Sequence, residues 1–116
     1  MILNGMKLNK VYLKHIIDEI NFITDEIEKL SYDTFIESEI YTRAFSRSIE
    51  IIGEAIKNLS VNFKEIHNDI EWKKISGMRD KLIHQYFSVD YEIVWDVVKN
   101  KLPVIRKKLL KILDAE

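Results

Sequence analysis

Residues 8–30 read LNKVYLKHIIDEINFITDEIEKL, and their hydrophobic pattern indicates the fold class. Apolar side chains recur at steps of three and four, which is the spacing of one face of an α-helix. The members of this face are Leu13, Ile16, Ile17, Ile20, Ile23, Ile27 and Leu30. Charged residues occupy most positions between them, so the opposite face is predicted to be solvated. The isoleucine richness of the chain therefore indicates helix core and not β-strand.

The same spacing recurs in three later segments and predicts three further long helices, through residues 45–59, 71–87 and 91–113. Gly53 lies inside the second of these helices, where glycine costs about 1 kcal/mol relative to alanine. A glycine at such a position is typical of a helix crossing, because it lets another chain segment approach closely. Pro103 lies inside the fourth segment and must either kink it or begin a new helix in its first turn.

Capping residues mark the connections between these helices. Ser31, together with Asp33 and Thr34, offers caps for a short helical turn, and Asp90 is a candidate N-cap of the fourth helix. Residues 62–65, NFKE, match a capping box that opens another short turn. The predicted fold is an all-α, up-and-down antiparallel four-helix bundle with one or two extra short helices, forming a single domain over residues 1–116.

Composition excludes several classes of protein. The chain has 116 residues, of which 47% are hydrophobic and 32% charged, and it contains no cysteine. Disulfide scaffolds, thiolate enzymes, zinc fingers and iron–sulfur proteins are therefore excluded. No apolar run approaches the length of a membrane span and no signal-peptide pattern is present, so a cytoplasmic protein without membrane contact is expected. The net charge of −1 provides no global attraction for nucleic acid, so any such attraction must be local.

The chemistry-bearing residues concentrate in one segment of the third predicted helix. A guanidinium, a carboxylate, an imidazole and a phenol occur there within eight positions: Arg79, Asp80, His84 and Tyr86. Arginine suits phosphate binding, and histidine transfers protons near neutral pH. Together they provide the minimum needed to cleave RNA without a metal or another cofactor. Of the other two histidines, His15 is interpreted as a surface or interface residue and His67 as an exposed loop residue, and no metal-ligand spacing is present.

Helix geometry leaves two arrangements of this segment open. Arg79 and His84 are five residues apart, which is about 140° around an ideal helix. Either the helix loosens near Gln85, or a second protomer completes the site and supplies a second imidazole. The alternative without chemistry is that Arg79 and Asp80 are surface charges and that His84 lies at a capped helix end.

Two further features carry open alternatives. The segment 97–113 contains six basic residues and no acidic one, namely Lys99, Lys101, Arg106, Lys107, Lys108 and Lys111. This stripe is either a solvated helix face or a surface for RNA or an acidic partner. Glu54, beside Gly53, is either a carboxylate that lines the site and pairs with Arg79 or a surface charge.

The pattern Arg79-x4-His84-x-Tyr86 resembles the R-x4-H-x-Y motif of HEPN-domain toxins, and most closely that of the HepT-like (DUF86) family. The resemblance extends beyond the motif and covers nearly the whole chain in order. Its parts are residues 47–60 in the second helix, 72–90 in the motif helix and its turn, and 93–95 and 102–103 in the last helix.

This resemblance implies a helical homodimer that acts as a metal-independent ribonuclease toxin, with the motif in a cleft between protomers. It implies that Arg79 and His84 are catalytic and that Asp80 orients the site. It also implies that Tyr86 is modified with AMP by a partner antitoxin, an MntA-type minimal nucleotidyltransferase. Two alternatives stay open: a non-catalytic dimer that presents Arg79 and His84 to a nucleotide or partner, and a structural dimer with a vestigial motif.

Overall fold

The computed structural model of the chain describes residues 5–84 and 89–115, with side chains for 8–81 and 89–115. Every regular element in these ranges is helical, so the prediction of an all-α fold is confirmed. The helices are α1 (Gly5–Ile27), α2 (Tyr32–Glu37), α3 (Glu39–Asn58), α4 (Val61–Ile66), α5 (Trp72–His84), α6 (Tyr91–Asp96) and α7 (Leu102–Asp114). None of these helices is long and apolar enough to cross a membrane.

The core is formed by the stripe predicted from residues 8–30 together with the matching faces of α3, α6 and α7. Phe35 of the short helix α2 lies at its centre, with its ring 5.3 Å from that of Phe45 and 5.2 Å from that of Trp95. The fully buried members include Leu13, Ile16, Ile20, Ile23, Phe35, Phe45, Val94, Val98, Leu102 and Leu109. Burial of this aromatic cluster holds α2 and α6 against α3.

Contacts at both ends of α1 and α3 establish that these helices are antiparallel. Near the start of α1, Asn9 Nδ2 donates to Ser60 Oγ at 3.2 Å, and the Ser60 backbone N–H donates to Asn9 Oδ1 at 3.0 Å. At the other end, the Tyr41 hydroxyl donates to Glu26 Oε2 at 3.4 Å. The end of α3 therefore lies beside the start of α1, as the bundle prediction requires.

Helix α5 also runs antiparallel to α3, because it begins near the end of that helix. Trp72 Nε1 donates to the His67 carbonyl at 3.0 Å, and the Trp72 ring lies 6.1 Å from that of Phe63. Seven residues later, Arg79 lies against Gly53, in the second half of α3. Because α5 runs back along α3, the segment that begins with Arg79 and Asp80 packs on α3.

The predicted caps at Ser31 and Asp90 are confirmed, and the predicted capping box at 62–65 is wrong. Ser31 Oγ accepts from Thr34 N, and the Asp90 carboxylate accepts from Glu92 N. Helix α4, however, begins at Val61, because Ser60 Oγ accepts the Phe63 N–H at 3.1 Å. Hydrogen bonds to Asn9 hold Ser60 in place, and this tertiary contact is what selects it as the cap.

The fourth predicted helix changes to a π-helical turn just before Pro103 and continues as α7. Helix α6 passes into a π-helical turn, Val97–Lys101, and Pro103 then lies in the first turn of α7, the part of a helix in which proline is tolerated. The third predicted helix continues through Gly77 to His84. Its predicted end at Phe87, and the predicted loosening near Gln85, lie outside the described residues.

Candidate functional site

Arg79 lies on α5 where that helix crosses α3, and Gly53 makes the crossing possible. A Cβ atom placed on Gly53 would lie 2.7 Å from Arg79 Cγ and closer still to Arg79 Cβ. Real side chains do not approach so closely, so no residue larger than glycine fits here without moving a backbone. The predicted helix crossing at Gly53 is confirmed, and the residue that crosses it is the motif arginine.

Two carboxylates hold the Arg79 guanidinium at this crossing. Arg79 Nη2 lies 3.2 Å from Glu54 Oε2, and Arg79 Nη1 donates to Asp80 Oδ1 at 3.0 Å. The Arg79 side chain is only 23% exposed, whereas that of Glu54 is 58% exposed. Glu54 is therefore a surface carboxylate that also pairs with Arg79, so both interpretations of it describe part of its position.

Lys57 is a member of this group that the sequence did not point to. Its Nζ donates to Asp80 Oδ1 at 2.7 Å, the same oxygen that Arg79 uses. The hydrogen bonds from Lys57 and then from Arg79 lower the pKa of Asp80, which stays ionised at neutral pH. Lys57 lies three residues after Glu54 on α3, so the two share one helix face. The two positive charges of Arg79 and Lys57 equal the two negative charges of Glu54 and Asp80, so the group as a whole carries no net charge.

One nitrogen of this arginine has no partner in the part of the chain that the structure describes. Arg79 Nε is buried and makes no hydrogen bond with any described residue. A buried donor without a partner is uncommon in folded proteins and lowers stability. Among the described residues, the position of Arg79 therefore carries an energetic cost that the rest of the packing must offset.

Arg79 also borders a surface cavity between α1, α3 and α5, called the α1–α3 cavity below. Its volume is about 310 Å³. It is lined by Tyr12, His15, Arg47, Glu50, Ile51, Glu54, Ala55, Asn58 and Arg79. His15 is exposed, as the sequence suggested, and it lines the same cavity as the motif arginine. The sequence gives no sign of this grouping, because three helices contribute to it.

The remaining motif residues are described only in part. The backbone of α5 is helical through His84, so the angle of about 140° between Arg79 and His84 around the helix persists. The side chain of His84, and Tyr86 as a whole, lie outside the described residues.

His67 is not the exposed loop residue that the sequence suggested. It is half-buried at the end of α4, with its ring 4.6 Å from that of Phe63, and its carbonyl accepts the Trp72 indole N–H. The aromatic contact and this hydrogen bond give His67 a structural role, and it does not line the cavity that Arg79 borders.

The basic stripe of the last helix is partly engaged in local contacts. Lys108 Nζ donates to the Asp69 carbonyl at 2.7 Å, and Arg106 Nε donates to Asn21 Oδ1 at 2.6 Å. Lys99 Nζ lies 5.2 Å from the centre of the Trp95 ring. Half of the stripe therefore has local partners. Its exposed members are Lys99, Lys101, Lys107 and Lys111.

Fold and site together define a small all-α domain of the HEPN class. The chain belongs to the HepT-like family: the family described as "Ribonuclease HepT-like" matches residues 16–112. This match spans α3 and α5 with Gly53, Arg79 and His84.

Curated relatives agree with this assignment. The chain is 45% identical over 111 residues to "Putative RNase TTE0752" of Caldanaerobacter subterraneus, covering 96% of this chain and 99% of that protein. It is 38% identical over 104 residues to "Probable ribonuclease HepT" of Thermococcus cleftensis, covering 90% and 94%. It is also 44% identical over 105 residues to "Gamma-glutamylcyclotransferase and putative RNase MJ0434" of Methanocaldococcus jannaschii, covering 90% of this chain but 47% of that protein. No solved structure matches the chain significantly.

Proposed function

We propose that this chain is a metal-independent endoribonuclease, the toxin of a toxin–antitoxin pair, which cleaves RNA such as tRNA. The observation that carries the proposal is the placement of Arg79. Helix α3 keeps a glycine where Arg79 crosses it, and carboxylates on both sides hold the guanidinium at the edge of a cavity. Membership of a family of ribonucleases supports the same activity.

The role proposed for Arg79 is to bind the phosphate at the cleaved bond. Its pair with Glu54 is exposed to solvent, and such pairs contribute only about 0–1 kcal/mol. A phosphodiester oxygen can therefore replace Glu54 at Nη2, while Asp80, which also accepts from Lys57, keeps Nη1 in place. The planar guanidinium then stabilises the charge that builds on phosphorus in the transition state.

The role proposed for His84 is proton transfer, in a site completed by a second protomer. Because the backbone of α5 stays helical through His84, the positions of Arg79 and His84 lie about 140° apart around one helix. A twofold dimer brings two copies of α5 together and supplies two imidazoles. One removes the proton of the ribose 2′-hydroxyl, whose oxygen attacks phosphorus. The other protonates the departing 5′-oxygen, leaving a 2′,3′-cyclic phosphate and a 5′-hydroxyl.

The direct test is to incubate the purified chain with RNA in the presence of EDTA. We expect cleavage that the chelator does not reduce, with 2′,3′-cyclic phosphate and 5′-hydroxyl ends identified by mass spectrometry. A substrate with 2′-deoxyribose at the cleaved position is the control and should remain intact. Cleavage of that substrate, or no cleavage of RNA by chain produced without a neutralising partner, would contradict the proposal.

Neutralisation is proposed to occur at Tyr86, through transfer of AMP from ATP by a minimal nucleotidyltransferase antitoxin. Phosphate charge and adenine bulk placed two residues from His84 would repel and obstruct RNA. The Tyr86→Phe variant is therefore expected to cleave RNA but to escape neutralisation when both proteins are produced together. Mass spectrometry of the co-produced wild type should locate AMP on Tyr86. The prediction would be contradicted if AMP were found on another residue. It would also be contradicted if the antitoxin relieved growth arrest equally for the wild type and for Tyr86→Phe.

A further inference from the structure

The α1–α3 cavity lies directly beside the group proposed to bind the cleaved phosphate, because Arg79 is part of its lining. A nucleoside attached to a phosphate at Arg79 must therefore lie next to this cavity. The volume of about 310 Å³ is at the lower end for small-molecule sites. That size suits a single nucleotide unit and is too small for a folded partner segment.

We propose that the α1–α3 cavity is a ribonucleotide subsite, which holds the base adjacent to the phosphate bound by Arg79. This inference rests on the proposed ribonuclease function and adds to it the residues that select the base. Sequence-specific recognition of RNA relies on unstacked bases that contact aromatic side chains and hydrogen-bond through their edges. The cavity provides groups for each of these contacts.

The aromatic contacts come from α1. Tyr12 and His15 are three residues apart, so they lie on one face of that helix, and both line the cavity. Tyr12 is half-buried, whereas His15 is exposed. Ile51 and Ala55 provide an apolar surface on the α3 side. A planar base between these two sides would contact aromatic rings on one face and aliphatic groups on the other.

The edge contacts come from α3. The Glu50 side chain is 30% exposed, and its Oε2 accepts from Arg47 Nη1 at 3.1 Å. Glu50 Oε1 has no donor among the described residues, so it can accept a hydrogen bond from a base. A carboxylate favours bases with an exocyclic amino donor on that edge, such as the cytosine amino group, over uracil, whose N3–H lies between two carbonyl oxygens that repel the carboxylate. Arg47, whose side chain is 70% exposed, is placed to contact a neighbouring phosphate.

The test uses the wild-type chain and nucleoside 5′-monophosphates, with amide chemical shifts as the readout. CMP and GMP should shift the Ile51 and Asn58 amides more than UMP does, and inorganic phosphate should not shift these amides. His15→Ala should weaken CMP binding at least about 5-fold, the lower limit for one stacked base. His67→Ala is the matched control, since it lies outside the cavity, and should bind CMP as the wild type does.

Glu50→Gln tests base selection, since the amide can donate as well as accept. We expect it to reduce the preference for CMP over UMP by about 5-fold or more. In RNA cleavage, His15→Ala should raise KM with little change in kcat, the signature of lost binding to ground and transition states alike. Unchanged KM together with unshifted cavity amides would overturn the subsite while leaving the ribonuclease proposal intact. Nucleotide-induced shifts at Ile51 and Asn58 without RNA cleavage would support the subsite and contradict the ribonuclease.

Discussion

The His84→Ala variant is expected to cleave RNA at least about 100-fold more slowly than the wild type, with the fold unchanged. General acid–base catalysis by one side chain contributes roughly 10²- to 10⁴-fold. If each active site uses two imidazoles, the rate of cleavage should fall by more than about 100-fold, because the variant removes both of them. The measurement is single-turnover cleavage of a defined RNA by the purified chain, with circular dichroism to verify that helical content is retained.

His67→Ala is the matched control for this experiment. It removes an imidazole from the same chain, but from the end of α4, where the ring packs on Phe63. Its cleavage rate should stay within a few-fold of the wild-type rate. Equal rates for wild type and His84→Ala would contradict the catalytic role of His84. Equal losses for both histidine variants would point to a general loss of structure.

Mixed dimers separate a shared site from two independent ones. If each active site takes an imidazole from both protomers, a dimer with one His84→Ala chain should be nearly as inactive as the double variant. If each protomer holds a complete site, the mixed dimer should keep about half of the activity. Tagged chains purified as mixed dimers provide this comparison, and half activity would rule out the shared site.

The long helices of this fold could be predicted from the sequence because their apolar residues repeat with helical spacing and few glycines interrupt them. The cap of α4 could not be predicted in the same way. Residues 62–65 match a capping box as well as Ser60 matches a single cap, and the choice depends on Asn9, 51 positions away. The local sequence pattern predicts which segments are helical, whereas the start of α4 depends on a hydrogen bond from a residue far away in the sequence.

The candidate site was predictable only along one helix. The residue types at Arg79, Asp80 and His84 indicated their chemistry, and Gly53 indicated a crossing, but nothing in the sequence paired that glycine with that arginine. Lys57 and the α1–α3 cavity were missed for the same reason. Both depend on which faces of α1, α3 and α5 meet, and that geometry is set by packing of the whole core.

The Gly53→Ala variant is expected to be less stable than the wild type by about 1–3 kcal/mol, the usual cost of overpacking. In an open helix the same change would stabilise by about 0.5–1 kcal/mol, because alanine is the better helix former. Here the added Cβ would overlap the Cβ of Arg79. Relief requires α3 and α5 to separate, which also displaces the guanidinium, so RNA cleavage should fall even where the variant is fully folded.

Gly77→Ala is the matched control, because Gly77 lies inside α5 and a Cβ there would meet nothing within 4 Å. Urea denaturation should place it at or above the stability of the wild type. A sharper test combines Gly53→Ala with substitutions of Arg79 itself. Because the overlap is with Arg79 Cβ, Gly53→Ala should remain destabilising in an Arg79→Ala chain and become neutral or stabilising in an Arg79→Gly chain. If Gly53→Ala costs the same in both backgrounds, the overlap at this crossing is not its cause.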